Sequence, residues 1–273
     1  MDTKITVIVD NIASEELLGE WGLCMLVEYG DKKILVDVGG SELFAENLKK
    51  LGFAISDIDY ATLSHAHYDH ANGMPRFFTD NAKAKFYLRE TTGENCYYKK
   101  FIFHKYIGIP KKVLTIYSDR IEMVSGDYEL MKGVYLIPHK TPGLGAIGKR
   151  EKMYQRISCC GWKADDFSHE QSLVLDTDKG LVIINCCSHG GAVNIINEVK
   201  ATFPEKHVYA LIGGFHLFNK TESEVRDVAK NIQSTGIDFV CTGHCTKQRA
   251  YKILKEELGD KLEQLRVGLQ MEF

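Results

Sequence analysis

Ser64-His65-Ala66-His67-Tyr68-Asp69-His70 decides how this chain is read. Four potential metal ligands fall within six residues. The preceding Asp59-Tyr60-Ala61-Thr62-Leu63 is apolar and β-prone, which predicts a buried strand that ends at the histidines. Alternate side chains of an extended segment share a face, so His65 and His67 converge on one ion. Asp69 and His70 follow where the chain turns toward Ala71-Asn72-Gly73, and they face a second ion beside the first. Imidazole nitrogen suits zinc, manganese and iron, and one carboxylate adds the charge and hardness a second site needs. Polar residues of an ordinary surface loop rarely gather at this density.

The rest of the chain bounds the class. Apolar content of 44% and charged content of 26% are those of a soluble globular protein. The 273 residues allow one large domain or two small ones. No linker or low-complexity stretch divides them, so a single domain over 1–273 is expected, with a cap-like insertion around 91–169. Net charge is −3, which gives no general attraction to nucleic acid or to a membrane. No apolar run is long enough to span a bilayer. The start, Met1-Asp2-Thr3-Lys4, lacks the regions of a signal peptide. The eight cysteines include no Cys-x-x-Cys pair, so reduced thiols in the cytoplasm are expected. Cys159-Cys160 reads as a free buried pair.

In order, Lys4–Val9, Trp21–Tyr29 and Lys33–Asp37 read as strands, with Tyr29-Gly30-Asp31-Lys32 turning between the last two. Ser41 is a plausible N-cap for a helix to Leu51, which Gly52 ends. Lys85–Leu88 and Val134–Pro138 read as further strands. Tyr97–Tyr106 is dense in aromatic and basic residues: either a cap that stacks on a flat anionic substrate, or a local cluster holding the insertion together. Thr141–Gly148 is turn-rich, and Lys149-Arg150-Glu151-Lys152 reads as a solvated face. Ser172–Asp176 and Leu181–Asn185 form a hairpin. Helices are expected at Ala192–Thr202, Glu222–Ser234 and Thr246–Leu258, with strands at Val208–Ile212 and Asp238–Cys241 between them. Strand-helix alternation after a β-rich opening, given twice, suits two halves packed sheet to sheet. His189 and His244 each follow a buried strand directly, where loop residues meet in layered folds.

His65-x-His67-x-Asp69-His70 before Gly73-Met74, with Ile34-Leu35-Val36-Asp37-Val38-Gly39 upstream, resembles the metallo-β-lactamase superfamily signature. Cys187-Ser188-His189-Gly190, Gly213-Gly214-Phe215-His216-Leu217 and Gly243-His244-Cys245-Thr246 are similar to motifs of its dihydropterin synthase-like subgroup. Departures exist. Cys186 stands where the subgroup has Gly, Lys247 replaces a glycine, and Leu144 breaks the Thr-Pro-Gly-His motif of many superfamily hydrolases. The resemblance implies an α/β (α+β) fold, an αββα sandwich of two mixed β-sheets with a metal site at one sheet edge.

On that basis His65, His67 and His189 hold one divalent ion, and Asp69, His70 and His244 the other. Zinc is expected, with manganese or iron as alternatives. Cys187 lies near the superfamily's bridging aspartate, and bridges, binds one ion or lines the pocket. His169 is the rival for the place of His189, and Asp37 orients a ligand histidine through its second nitrogen. Asp69 and His216 are the candidate catalytic residues, with Lys247 as added charge. Two chemistries follow: condensation of a dihydropterin diphosphate with an arylamine carrying ribose phosphate, or hydrolysis of a phosphoester or related bond. The expected partner is a small anionic substrate, a pterin or a phosphate ester. A non-catalytic metal- or ligand-binding protein on the same fold is the alternative. Diiron members usually carry Glu where this chain has His67, which disfavours redox chemistry.

Overall fold

The computed structural model describes residues 2–159 and 161–273. Two seven-stranded sheets pack face to face. The first runs, in spatial order, Gln270–Glu272, Thr3–Val9, Cys24–Tyr29, Lys32–Val36, Tyr60–Thr62, Phe86–Arg89, Ile121–Val124. The second runs Leu262–Gln264, Phe239–Thr242, Val208–Gly213, Gly180–Ile184, Gln171–Thr177, Val134–Pro138, Tyr128–Met131. Both sheets mix antiparallel hairpins with parallel neighbours.

The period of two places the cores. Ile34 and Val36 face the second sheet, where they meet Leu173, Leu175, Val182 and Ile184. Leu35, between them, faces outward and packs with Phe44 and Leu48 of the helix Leu43–Lys50 and with Phe77. Val174 and Ile183 point out of the second sheet onto the helices Ala192–Thr202, Glu222–Ser234 and Lys247–Leu258. The result is helix, sheet, sheet, helix, as the sequence predicts. Thr221 starts the helix Glu222–Ser234 with a capping box: its hydroxyl accepts the Glu224 N–H at 3.3 Å, and Glu224 accepts the Thr221 N–H at 2.7 Å.

The stretch 91–169, expected as one insertion, is divided. Residues 121–124 join the first sheet, and 128–138 join the second. What caps the sandwich is a separate four-stranded sheet, in order Trp162–Ala164, Met153–Arg156, Cys96–Lys100, Phe103–Tyr106. The turn-rich Thr141–Gly148 leads into a helix, Gly145–Arg150. Leu144, which breaks the histidine motif, is buried with Met153 and Phe167. Cys159 is exposed rather than buried, and Cys160 lies outside the described residues. Among the described residues no helix is long and apolar enough to cross a membrane.

Phe44 is fully buried between the first sheet and its helices. Phe44→Ala is expected to cost about 3–5 kcal/mol in urea unfolding, as a lower midpoint with an unchanged slope.

Candidate metal centre

Parallel pairing builds the site. Gly180–Ile184, Val208–Gly213 and Phe239–Thr242 run side by side in one direction, so their C-terminal ends reach the same sheet edge. Cys187 and His189, His216, and His244 follow these three ends in turn. Lys32–Val36 and Tyr60–Thr62 are parallel in the first sheet, and deliver Asp37 and the 65–70 segment, whose end is the short helix Tyr68–Ala71. Asp37, Ser188, His216, His244 and Lys247 all hold left-handed backbone, with φ of 60, 51, 49, 48 and 61°. For residues with a Cβ this is strained, and it persists where surrounding packing over-determines it.

His65, His67 and His189 form one group. Their ring centroids lie 4.6, 4.9 and 4.8 Å apart. The Ser64 hydroxyl donates to Asp37 at 2.7 Å, so it accepts from His65 Nδ1 at 2.9 Å. That leaves His65 Nε2 as a buried lone pair. It has no partner among the described residues, and neither do His67 Nε2 or both ring nitrogens of His189. Orphaned buried nitrogens are costly, and a cation on their lone pairs would satisfy them. Burial and neighbouring rings hold all three rings neutral: His65 and His189 fall well below the ordinary histidine range, and His67 falls to about 3. Neutral imidazole is the ligating form.

The second group is Asp69, His70 and His244. His70 Nδ1 donates to Asp37 at 2.7 Å, and His244 Nδ1 donates to Asn11 Oδ1 at 3.3 Å. Both Nε2 atoms are thereby acceptors, yet they face each other at 3.2 Å. Asp69 Oδ2 stands 3.5 Å from one and 3.9 Å from the other. Lone pairs converging this closely need a proton or a cation between them. Burial opposes charge on His70, but Asp69 and Asp37 outweigh it and raise its pKa. Burial alone would raise Asp69, yet His70 and His244 draw it well below the usual carboxylate range.

Cys187 sits between the groups. Its sulfur lies 3.3 Å from His70 Nε2, and it clusters within 4.8 Å with His65 and His70, with His244 and Cys245, and with His189 and His216. His169, the rival ligand, is engaged elsewhere: Nδ1 accepts the Ala66 N–H at 3.1 Å and Nε2 donates to Asp165 at 3.1 Å. That ring lines a neighbouring buried cluster of His67, Cys96 and Asp165.

The sequence pattern of the metallo-beta-lactamase superfamily matches residues 22–148, a span holding Asp37 and the whole 65–70 cluster. Residues 22–148 are thus a metallo-β-lactamase superfamily domain. It is similar to the 7,8-dihydropterin-6-methyl-4-(beta-D-ribofuranosyl)-aminobenzene-5′-phosphate synthase of Methanocaldococcus jannaschii, at 27% identity over 92% of this chain and 90% of that one. Among solved structures it is similar to Tm1679, described as a metal-dependent hydrolase of the β-lactamase superfamily, at 28% identity, a TM-score of 0.83 and 99% of each chain. YhfI of Bacillus subtilis shares the fold alone, at 12% identity and a TM-score of 0.58 over both whole chains.

The two groups open onto a cavity of about 380 Å³. Trp21, Tyr98 and Phe218 line it together with Arg150 and Lys152. Arg150, Glu151 and Lys152 are therefore cavity wall and not merely a solvated face, because the end of the helix Gly145–Arg150 reaches the cavity. Tyr98 is the part of the aromatic-basic segment that reaches the site, while Phe101, Ile102 and Phe103 are exposed at the hairpin tip. His216 lines the cavity 4.4 Å from the His189 ring, and neither of its ring nitrogens has a partner among the described residues. Lys247 does not add charge there. Its ammonium lies 3.9 Å over the Trp21 ring, which in turn packs against His244 at 4.8 Å.

His139 supports the His189 loop. Its Nε2 meets Glu170 and its Nδ1 meets Glu198, both at 3.0 Å, and Glu170 accepts the His189 N–H at 3.1 Å. A Cβ on Gly190 would lie 2.3 Å from the His139 ring, so only glycine admits this packing. Burial opposes charge on His139, but Glu170 and Glu198 raise its pKa to about 10. A raised folded pKa gives stability that is full below the unfolded value near 6.5 and is lost as pH rises through 10. His139→Gln is thus expected to destabilise most near pH 6, with the deficit shrinking toward pH 10 in urea melts at both pH values.

Proposed function

We propose that this chain is a metal-dependent enzyme with a binuclear centre, acting on a small, flat, anionic substrate. The observation that carries the reading is the convergence of unpartnered or mutually facing ring nitrogens of His65, His67, His189, His70 and His244 beside Asp69, next to a cavity lined by aromatic and charged side chains. His65, His67 and His189 hold one ion. Asp69, His70 and His244 hold the other, and Cys187 lies between them. The sulfur favours zinc over manganese or iron. Reduced thiols at such a site suit the cytoplasm.

The reaction we favour joins a dihydropterin diphosphate to an arylamine carrying ribose phosphate, in line with the name of the Methanocaldococcus relative. A C–N bond forms at the methylene carbon and its C–O bond to diphosphate breaks, the leaving group taking the electron pair. When bound, the ions supply positive charge that stabilises that leaving group. Arg150 and Lys152 complement the remaining anionic groups at the rim. Tyr98 and Phe218 offer faces for flat rings. His216, whose ring nitrogens have no partner among the described residues and which lies beside His189, takes the proton the amine gives up. Asp69 is held at the reacting face by His70 and His244. The likeness to Tm1679 favours a second reading, hydrolysis of a phosphoester at the same centre.

Elemental analysis of wild type, His189→Ala and His244→Ala tests the centre. The expected result is about two ions per chain in wild type and a loss of metal in each variant. Undiminished metal in both variants would overturn the ligand set. Incubating zinc-loaded wild type with the pterin diphosphate and arylamine should release diphosphate and the coupled product, seen by mass spectrometry. Phosphodiester turnover without coupled product would transfer the assignment to hydrolysis. Arg150→Ala is expected to raise KM about tenfold or more, given the ~1.5–3 kcal/mol of a hydrogen bond to a charged group, with a smaller change in kcat.

A further inference from the structure

One sulfur at the site has no part in the ligand set above. Cys24, Cys186 and Cys241 pack within the apolar cores. Cys245 is equally buried, yet it lines the cavity, and its sulfur clusters within 4.8 Å with Cys187 and His244.

The seat for this sulfur is built. The main-chain N–H of His216 donates to Cys245 Sγ at 3.2 Å, and the sulfur lies 3.7 Å from the Cys187 carbonyl oxygen. A Cβ on Gly214 would lie 2.5 Å from Sγ, so glycine there leaves the space the sulfur fills. The Phe215 N–H donates to Thr246 Oγ1 at 2.9 Å, which ties the loop after Val208–Gly213 to the loop that carries His244 and Cys245. Nothing in apolar packing requires an N–H donor and a glycine aimed at one thiol.

We propose that Cys245 supplies a second thiolate to the ion held by Asp69, His70 and His244. The inference rests on the binuclear reading. Each thiol releases its proton to water as the ion binds. Asp69, Cys187 and Cys245 then set three negative ligands against a divalent cation, while the neutral His65, His67 and His189 leave the other cation its full charge. The two positions divide the work: a sulfur-rich ion that is held tightly and prefers zinc, and an electrophilic ion that meets the substrate.

Cobalt and zinc loading test this without turnover. Wild type loaded with cobalt(II) should show an intense sulfur-to-cobalt charge-transfer band. Cys245→Ser should lose about half of it and weaken zinc binding at that position at least about tenfold, taking the range for lost supporting interactions as a floor. Cys24→Ala should leave both unchanged. X-ray absorption at the zinc edge of the wild-type holoprotein, which needs no variant to fold, should count two sulfurs for every two zincs. A single sulfur, or a Cys245→Ser protein with the full band and wild-type zinc affinity, would overturn the proposal and leave the binuclear centre standing. Wild type that takes up neither metal would overturn both.

Discussion

The site depends on one buried carboxylate. Asp37 is fully enclosed, where an unpaired charge would cost several kcal/mol. It is compensated by the Ser64 N–H, the Ser64 hydroxyl and His70 Nδ1, all at 2.7 Å. Through His70 it orients the second group directly. Through Ser64 it sets the tautomer of His65 in the first. A single charge at the end of one strand thereby turns two imidazoles so that their free nitrogens face the same space, and the left-handed backbone at Asp37 is part of how it gets there.

The two sheets share the labour unequally. The first sheet contributes a compact run, 65–70, whose ligands are close because the chain is short between them. The second contributes single residues on separate loops, and each needs its own anchor. Asn11 and Asp10, from the first sheet's edge, hold the ring and main chain of His244. The Glu170–His139–Glu198 network stands behind His189, with Phe167 stacked on its ring at 4.8 Å. Asp10, Glu170 and Glu198 among these anchors are buried and hydrogen-bonded, which is where such groups rigidify a site and do not weaken it.

Much of this was legible in the residues. His65 to His70 announce themselves because the signal is local. His189 and His244 were readable because a buried strand followed directly by histidine fixes a place at a sheet edge. Arg150 and Lys152 were not, because a charged run looks the same whether it faces water or a cavity, and only the helix Gly145–Arg150 decides which. That helix was itself hidden by its glycines. A Cβ on Gly148 would lie 2.0 Å from the Asp165 carbonyl oxygen, so the residue reflects close packing and not a turn. Cys245 was hidden for another reason: thiols are ordinary core residues, as Cys241 is here.

The ring nitrogens at the centre come from positions nearly one hundred and eighty residues apart in sequence, and from both sheets; His70 and His244 are separated by 174. Such a set does not exist until the sheets have docked. An ion seated there would work as a clasp across the seam of the sandwich, joining the two sheets. The chain would then acquire its reactive centre at the last stage of folding, and a molecule with its two layers ajar would carry the whole motif and none of the chemistry.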